Sequence, residues 1–160
     1  MTRLIAFLPA LWLAACAPKT EPLPADHARA ISDSVHNTLV AYADRLNAAD
    51  RDSLIRFYAD DPRFSWAADG RVATHAVAQV RAELDALAGY ARWHVEYQNS
   101  KIVPLAPGLA SMATEYQMSL GDSTGKGVAF NGALTMLWIH TPAGWKILAG
   151  HSSSPPRQPQ

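Results

Sequence analysis

Apolar residues recur along the first part of the chain at the spacing of a helix. Between residues 27 and 48 they are separated by steps of three or four, at Ile31, Val35, Leu39, Tyr42 and Leu46. An α-helix brings such positions onto one face. The pattern therefore predicts an amphipathic helix over roughly 27–48.

Two shorter helices and a short strand are predicted next. Asp50 is placed as an N-cap before Leu54, Ile55 and Tyr58, and this helix must end before Pro62. A third helix is expected to begin near Thr74, with apolar residues at helical spacing at Val77, Val80, Leu84 and Leu87. Between these two helices the aromatic stretch "RFSWA" predicts a strand.

From residue 92 onwards the hydrophobic period changes to two. Turn signals at "APG" (106–108), "GDSTGKG" (121–127) and "TPAG" (141–144) divide this part into four strands. Each divider is short enough to join antiparallel neighbours. Helices followed by a meander predict an α+β fold, with the three helices packed on one face of an antiparallel sheet.

The stretch "ALTMLWI" (133–139) departs from this alternation, because apolar residues occupy successive positions. A strand with one face in water alternates, so both faces of this strand are expected to be covered. The helices cover only one face. A homodimer through the other face is the simplest prediction, and a local cover by the tail or by loops is the alternative.

Composition narrows the function classes. The 160 residues fit one domain, and 14 Lys+Arg balance 14 Asp+Glu. No stretch concentrates basic residues. Nucleic-acid binding is therefore disfavoured.

The N-terminus has the order of a secretory signal. Arg3 precedes an apolar run over 4–13, which is too short to span a membrane, and small residues follow. The ending before Cys16 resembles the lipobox of bacterial lipoproteins, and Cys16 is the only cysteine. The resemblance implies a signal peptide over 1–15 and a Cys16 that carries acyl chains such as palmitate. It also implies an envelope location, at the outer membrane and facing the periplasm. An ordinary signal peptide with a chance cysteine is the alternative.

The two ends of the mature chain are poor in apolar periodicity. Residues 16–26 combine the lipidated cysteine with a Pro-rich linker. The terminal "SSSPPRQPQ" is too polar and too Pro-rich to pack. The folded domain is accordingly expected over 27–152, with a disordered tail over 153–160.

Two segments carry a family resemblance. "LNAADRDSLIRFYADDPRFSW" and "FNGALTMLWIHTPAGWKILAGHSSSP" resemble the NTF2-like superfamily, and within it the SnoaL-like branch, over about 30–154. The resemblance implies a strongly bent sheet wrapped around a long helix, a cone whose mouth holds an apolar pocket. Functions in the superfamily range from enzymes to scaffolds, so the fold alone leaves the function open.

The ketosteroid isomerases of this superfamily offer the most informative comparison. They use a Tyr on the first helix to hold an oxyanion and an Asp on the first strand to shuttle the proton. Tyr42 stands here at the position of their tyrosine, and Trp66 stands at the position of their aspartate. The hydroxyl group is therefore kept, and the catalytic base is absent. Asp69 and Glu115 are the carboxylates that could replace it. Tyr42 could equally be a core residue, since it lies on the apolar stripe of the first helix.

His151 is expected to face inward, because it shares strand parity with Trp145, Ile147 and Ala149. A neutral imidazole there could orient a ligand or transfer a proton, or be structural. The predicted pocket consists of Tyr42, Trp66, Tyr116, Thr135 and His151. Its weak catalytic candidates are His151, Tyr42, Asp69 and Glu115.

No cofactor or metal is predicted. "GDSTGKG" lacks the spacing and the terminal Ser/Thr of a phosphate loop, and the six histidines show no ligand spacing.

Three functions remain. The first is a lipid-anchored module that binds a small apolar or aromatic molecule. The second is a SnoaL-like or isomerase-like enzyme that performs acid–base chemistry on a polyketide-like or steroid-like substrate. The third is a dimeric envelope scaffold with a filled core.

Overall fold

A computed structural model describes residues 22–155 of the chain. The predicted signal peptide and Cys16 lie outside the described residues. The elements in chain order are α1 (Ala25–Asn47), α2 (Arg51–Leu54), a 3₁₀ turn (Ile55–Phe57), β1 (Ser65–Ala68), β2 (Arg71–Thr74), α3 (Val77–Ala86), β3 (Arg92–Ala106), β4 (Leu109–Gly121), β5 (Gly127–Thr141) and β6 (Gly144–Ser153). Within residues 22–155, none of the helices combines the length and the apolarity that a membrane-spanning helix requires.

The helices form where the apolar spacing placed them. On α1 the predicted stripe is buried at Val35, Leu39, Tyr42 and Leu46. The Asp50 carboxylate caps α2 by accepting from the Ser53 backbone N–H at 3.1 Å. The predicted α+β class, with helices first and a meander after them, is confirmed.

All six strands form one sheet in the order β2-β1-β6-β5-β4-β3. Strands β3 to β6 are an antiparallel meander, as predicted, but β1 pairs with β6 in parallel. The expectation of an antiparallel sheet is wrong at this pair. The hairpin strand that follows β1, α3 and three strands of the meander separate β1 from β6 in the chain, so no tight turn forces them to run in opposite directions.

Strand β2 was not predicted. It pairs with β1 across a two-residue turn in which Asp69 and Gly70 have φ of 46° and 84°. An Asp-Gly pair with positive φ at both residues is a common signal of a tight β-hairpin. The sequence "ADGRV" therefore contains the signal for this hairpin.

The sheet curls around α1, and the core lies between them. Trp138 and Ile147 on its concave face are fully buried, as is Val35 on α1. Pairing between β3 and β4 is irregular between Gln98 and Lys101. Irregularities of this kind bend a sheet and increase its twist.

A bulge in β6 overturns the predicted orientation of His151. Ile147 pairs with Trp138 and Ala149 with Leu137, so Leu148 is an extra residue in β6. The alternation of faces is shifted beyond it. His151 is therefore exposed on the outer face of the sheet, beside Thr135, its cross-strand partner.

Buried and exposed side chains alternate along residues 133–139 more regularly than the sequence predicts. Leu134, Met136 and Trp138 are buried on the concave face, whereas Ala133 and Thr135 are exposed on the outer face. No element of the described chain covers this outer face. The predicted dimer through it stays a prediction.

The chain end packs further than expected. Strand β6 continues to Ser153. The Ser154 backbone N–H donates to Asp69 Oδ1 at 2.9 Å, and the Ser154 hydroxyl pairs with the Tyr116 hydroxyl at 2.9 Å. The prediction that "SSSPPRQPQ" does not pack is wrong for residues 152–154, because Ser152 and Ser153 pair with neighbouring strands and Ser154 bonds to the β1–β2 turn and to Tyr116 on β4.

Candidate functional site

A cavity of about 340 Å³ lies between α1, α3 and the concave face of the sheet. Its size falls within the range of sites that hold small molecules. The lining is mostly apolar and includes aromatic rings from the helices and the strands. It consists of Tyr42, Leu46, Tyr58, Trp66, Ala68, Val80, Glu83, Leu84, Leu87, Val95, Tyr97, Tyr116, Met118, Phe130, Leu134, Met136 and Ser152.

Two tyrosine hydroxyls meet in the wall of this cavity. Tyr42 comes from the buried stripe of α1, and Tyr58 follows the 3₁₀ turn. Their hydroxyl oxygens are 2.7 Å apart, and their rings meet edge to face at 6.1 Å. Only one hydroxyl hydrogen can lie between the two oxygens. The other remains free to donate to a ligand.

Three tyrosines of the cavity, Tyr42, Tyr58 and Tyr97, stay neutral at ordinary pH. Burial raises the pKa of Tyr42, Tyr58 and Tyr97. For Tyr58 the next causes are Tyr42 and Tyr97, and the Glu83 carboxylate adds to them. A neutral hydroxyl in an apolar wall is a hydrogen-bond donor for a carbonyl or phenolic oxygen.

Trp66 forms the wall on the β1 side, packed on the backbone of β6. Its six-membered ring lies so close to Gly150 that a Cβ at that residue would overlap it. The ring also meets Tyr58 edge to face at 6.3 Å. The absence of a side chain at Gly150 therefore sets the depth of the cavity on this side.

Tyr116 forms the wall on the side of Ser154. Its hydroxyl pairs with Ser154, and its ring meets Phe130 edge to face at 6.2 Å. A Cβ at Gly132, its partner on β5, would lie 2.8 Å from the Tyr116 hydroxyl oxygen. The glycine therefore makes room for the tyrosine side chain.

Glu83 on α3 is the one side chain with a formal charge in the lining formed by the described residues. It is exposed at the edge of the cavity, and its charge reaches Tyr58, whose pKa it helps to raise. Glu83 was not among the residues predicted from the sequence. The signal was its position on α3, where it stands three residues after Val80 and next to Leu84, on the stripe that faces inward.

The residues predicted from the sequence divide into two groups. Tyr42, Trp66 and Tyr116 line the cavity. Thr135 and His151 lie on the outer face and do not. Tyr42 is both buried in the core and part of the cavity wall, so the two interpretations of it coincide.

The two carboxylates proposed as replacement bases also lie outside the cavity. Asp69 is exposed in the β1–β2 turn, where it accepts from Ser154. Glu115 is exposed on the outer face, where it accepts from the Asn99 amide at 2.8 Å.

The bent sheet, the central helix and a cavity at its mouth define an NTF2-like cone. The sequence matches the SnoaL-like domain family over residues 35–157, and the chain belongs to that family. No curated protein matches the chain at a significant level.

Solved structures with the same fold are distant in sequence. A proposed scytalone dehydratase from Novosphingobium aromaticivorans superposes with a TM-score of 0.74 at 9% identity, covering 81% of this chain and 87% of its own. A proposed NTF2-like dehydratase from Streptomyces avermitilis gives 0.70 at 14% identity, with 81% and 99% covered. A proposed aromatic ring hydroxylase from N. aromaticivorans gives 0.67 at 17% identity, with 76% and 86% covered.

The contact between Gly150 and Trp66 leads to a first prediction. Gly150→Ala should lower the free energy of unfolding by about 1–3 kcal/mol, because the new methyl group must push the Trp66 ring away from the β6 backbone. Urea denaturation measures the change. Gly89→Ala is the matched control, since a Cβ there meets no atom within 4 Å. Equal stabilities of the two variants would contradict the described packing.

Proposed function

We propose that the protein binds a small apolar or aromatic molecule with a hydrogen-bond-accepting oxygen in the cavity between α1, α3 and the sheet. The observation that carries this proposal is the set of tyrosine hydroxyls in an apolar wall. The Tyr42–Tyr58 pair keeps one hydrogen to donate, and the Tyr97 hydroxyl has no hydrogen-bond partner among the described residues. A ligand oxygen would satisfy these donors while its apolar body fills the remaining volume.

The similar structures support a small-molecule site in general terms. Two of them are described as dehydratases and one as an aromatic ring hydroxylase. Such names refer to reactions of small organic substrates. The open cavity is evidence against the alternative function, a scaffold with a filled core.

A thermal unfolding series tests the ligand proposal. Phenols and aromatic ketones of one or two rings should stabilise the full chain. A ligand at 100 times its Kd adds about 2.7 kcal/mol, which corresponds to a rise in Tm of at least about 5 °C. Tyr58→Phe should weaken binding by roughly 3-fold to 10-fold, the loss of one hydrogen bond.

The matched control for this series is His151→Ala, because His151 lies on the outer face. It should leave the ligand-induced shift unchanged. Failure of every compound to raise the Tm of the wild type would contradict the proposal, as would an equal loss of binding in both variants.

A second candidate function is acid–base catalysis on a ligand held in the same cavity. The observation that favours it is Glu83, a carboxylate at the cavity edge whose charge is felt by Tyr58. The carboxylate could remove a proton from the carbon next to a carbonyl group, while the electron pair moves to the carbonyl oxygen. A tyrosine hydroxyl would stabilise the charge on that oxygen.

Deuterium exchange tests this second candidate. In D₂O the protein should catalyse exchange of the protons next to the carbonyl of 2-tetralone, followed by NMR. Glu83→Gln should slow the catalysed exchange by about 10² to 10⁴, the usual contribution of a general base. Asp85→Asn, two residues further along α3 and outside the cavity, is the control. Exchange that is equally fast in Glu83→Gln would contradict the role.

We also propose that the chain is a lipoprotein anchored in the cell envelope through Cys16. The support is the order of charge, apolar run and small residues before the single cysteine. Mass spectrometry of the full chain produced in a Gram-negative bacterium should find a diacylglyceryl thioether and an acyl chain on Cys16. Cys16→Ser should remain uncleaved. An unmodified Cys16 in a soluble mature protein would contradict the anchor.

The predicted homodimer would use an apolar row on the outer face of the sheet. Val103, Leu137 and Ala149 lie in one row across the strands, with Ser111 between Val103 and Leu137, and Val103 is 39% exposed. Sedimentation equilibrium should find a dimer that Val103→Glu dissociates. The control is Val72→Glu, on the edge strand β2. A wild type that stays monomeric at all concentrations would contradict this interface.

A further inference from the structure

A second concave site lies on another side of α1, outside the apolar cavity. It is a groove of about 580 Å³ between α1, α2 with the 3₁₀ turn that follows it, and the turn from β5 to β6. On α1 the groove is lined along one stripe by Ser34, Asn37, Thr38, Ala41 and Arg45. None of these residues borders the apolar cavity.

The groove collects positive charge from three elements. Arg45 comes from α1, Arg56 from the 3₁₀ turn and Lys146 from β6. Among the described residues that line the groove there is no Asp or Glu. In a chain with equal numbers of basic and acidic residues, three cations around one concave surface are a local excess.

Two of the three cations have no carboxylate partner within residues 22–155. Neither Arg56 nor Lys146 forms an ion pair with a described residue. The Lys146 ammonium donates to the backbone carbonyl of Arg56, which fixes the two residues as neighbours. An ammonium has three donor hydrogens, so two remain available.

Arg45, the third cation, forms a weak ion pair with Asp50, which lies outside the groove. Its guanidinium lies 3.5 Å from the Asp50 carboxylate, which already accepts from the Ser53 backbone. The Arg45 side chain is 53% exposed, so this pair contributes little and can exchange partners.

Neutral donors complete the lining. The Trp145 indole N–H donates to the Ser34 hydroxyl oxygen at 3.1 Å, so the hydroxyl hydrogen of Ser34 can turn to another acceptor. The side chains of Asn37 and Ser53 also border the groove. Charged and neutral donors around one space, without a competing carboxylate, match the needs of a tetrahedral oxyanion.

We propose that this groove binds a phosphoryl group, with Arg56 and Lys146 as the principal ligands and Arg45 as a third cation. The group could belong to a phosphorylated solute or to the headgroup of an anionic phospholipid. Both sources offer the same chemistry, an anionic oxygen cluster that accepts from guanidinium and ammonium groups. The site is independent of the ligand proposed for the apolar cavity.

Calorimetric titration of the full chain with inorganic pyrophosphate tests the proposal at low ionic strength. We expect a Kd of about 1 mM or tighter. Arg56→Gln together with Lys146→Gln should weaken binding at least about tenfold, because two charge-assisted contacts are lost. The matched control is Arg71→Gln together with Lys126→Gln, which removes the same charge from exposed positions outside the groove and should change the Kd less than twofold.

Because Lys146 also bonds to the backbone of the 3₁₀ turn, Arg56→Gln alone is the second variant. It should keep the Tm of the wild type and still weaken binding. Equal losses in the groove pair and in the control pair would overturn the proposal, since they would indicate unspecific attraction. Absence of pyrophosphate binding by the wild type, together with absence of a groove effect on vesicles, would also overturn it.

Vesicles distinguish the two sources. Flotation with phosphatidylglycerol vesicles, compared with phosphatidylcholine vesicles, should show a preference that the groove pair removes if the partner is a lipid headgroup. Binding of pyrophosphate without a groove-dependent preference for phosphatidylglycerol would identify a soluble phosphorylated molecule as the partner. Each of these two results supports a phosphoryl site.

Discussion

The packing of the α1 stripe against the concave face of the sheet is the interaction on which the rest of the structure depends. Val35 and Leu39 on α1 belong to the same hydrophobic cluster as Trp138 and Ile147 of the sheet, and all four are buried. Burying one such side chain contributes about 1.5–3 kcal/mol, so a few of them account for a large part of the stability of a domain. The same helix brings Tyr42 into the cavity wall and presents Arg45 on another face. One element therefore positions both candidate sites.

The cavity is not simply unfilled core. An apolar environment makes an unpaired hydroxyl costly, and the contact between Tyr42 and Tyr58 offsets only part of that cost. A filled core would carry phenylalanine at these positions at no loss of packing. The hydroxyl groups of Tyr58 and Tyr97 are better explained by a cavity that binds a ligand with a polar atom. Neutral hydroxyl groups and one carboxylate at the edge are also the chemical groups that proton transfer next to a carbonyl requires.

Much of the fold could be predicted from the sequence because its signals are local. The period of α1, the Asp50 cap and the three turn segments each depend on a few neighbouring residues. The same holds for the Asp69-Gly70 turn, although it was not among the predicted turns. The parallel pairing of β1 with β6 is different, because it joins residues more than eighty positions apart. No local pattern encodes it.

The candidate site was predicted less completely, and two residues explain why. Leu148 is an ordinary apolar residue in a strand, yet the bulge at this position moved His151 to the outer face. Strand parity holds only while the register is regular, and nothing in "KILAGH" marks the interruption. Glu83 was not among the predicted residues, although its helical spacing from Val80 and Leu87 places it on the stripe of α3 that borders the cavity.

The most direct test of the account is a crystal structure of the chain soaked with 4-bromophenol, with the bromine located by its anomalous signal. We expect one strong peak inside the cavity, with the phenol oxygen within hydrogen-bond distance of Tyr58 or Tyr97. A cavity that remains without bromine while the compound binds elsewhere, or side chains that fill the space between α1 and the sheet, would contradict it.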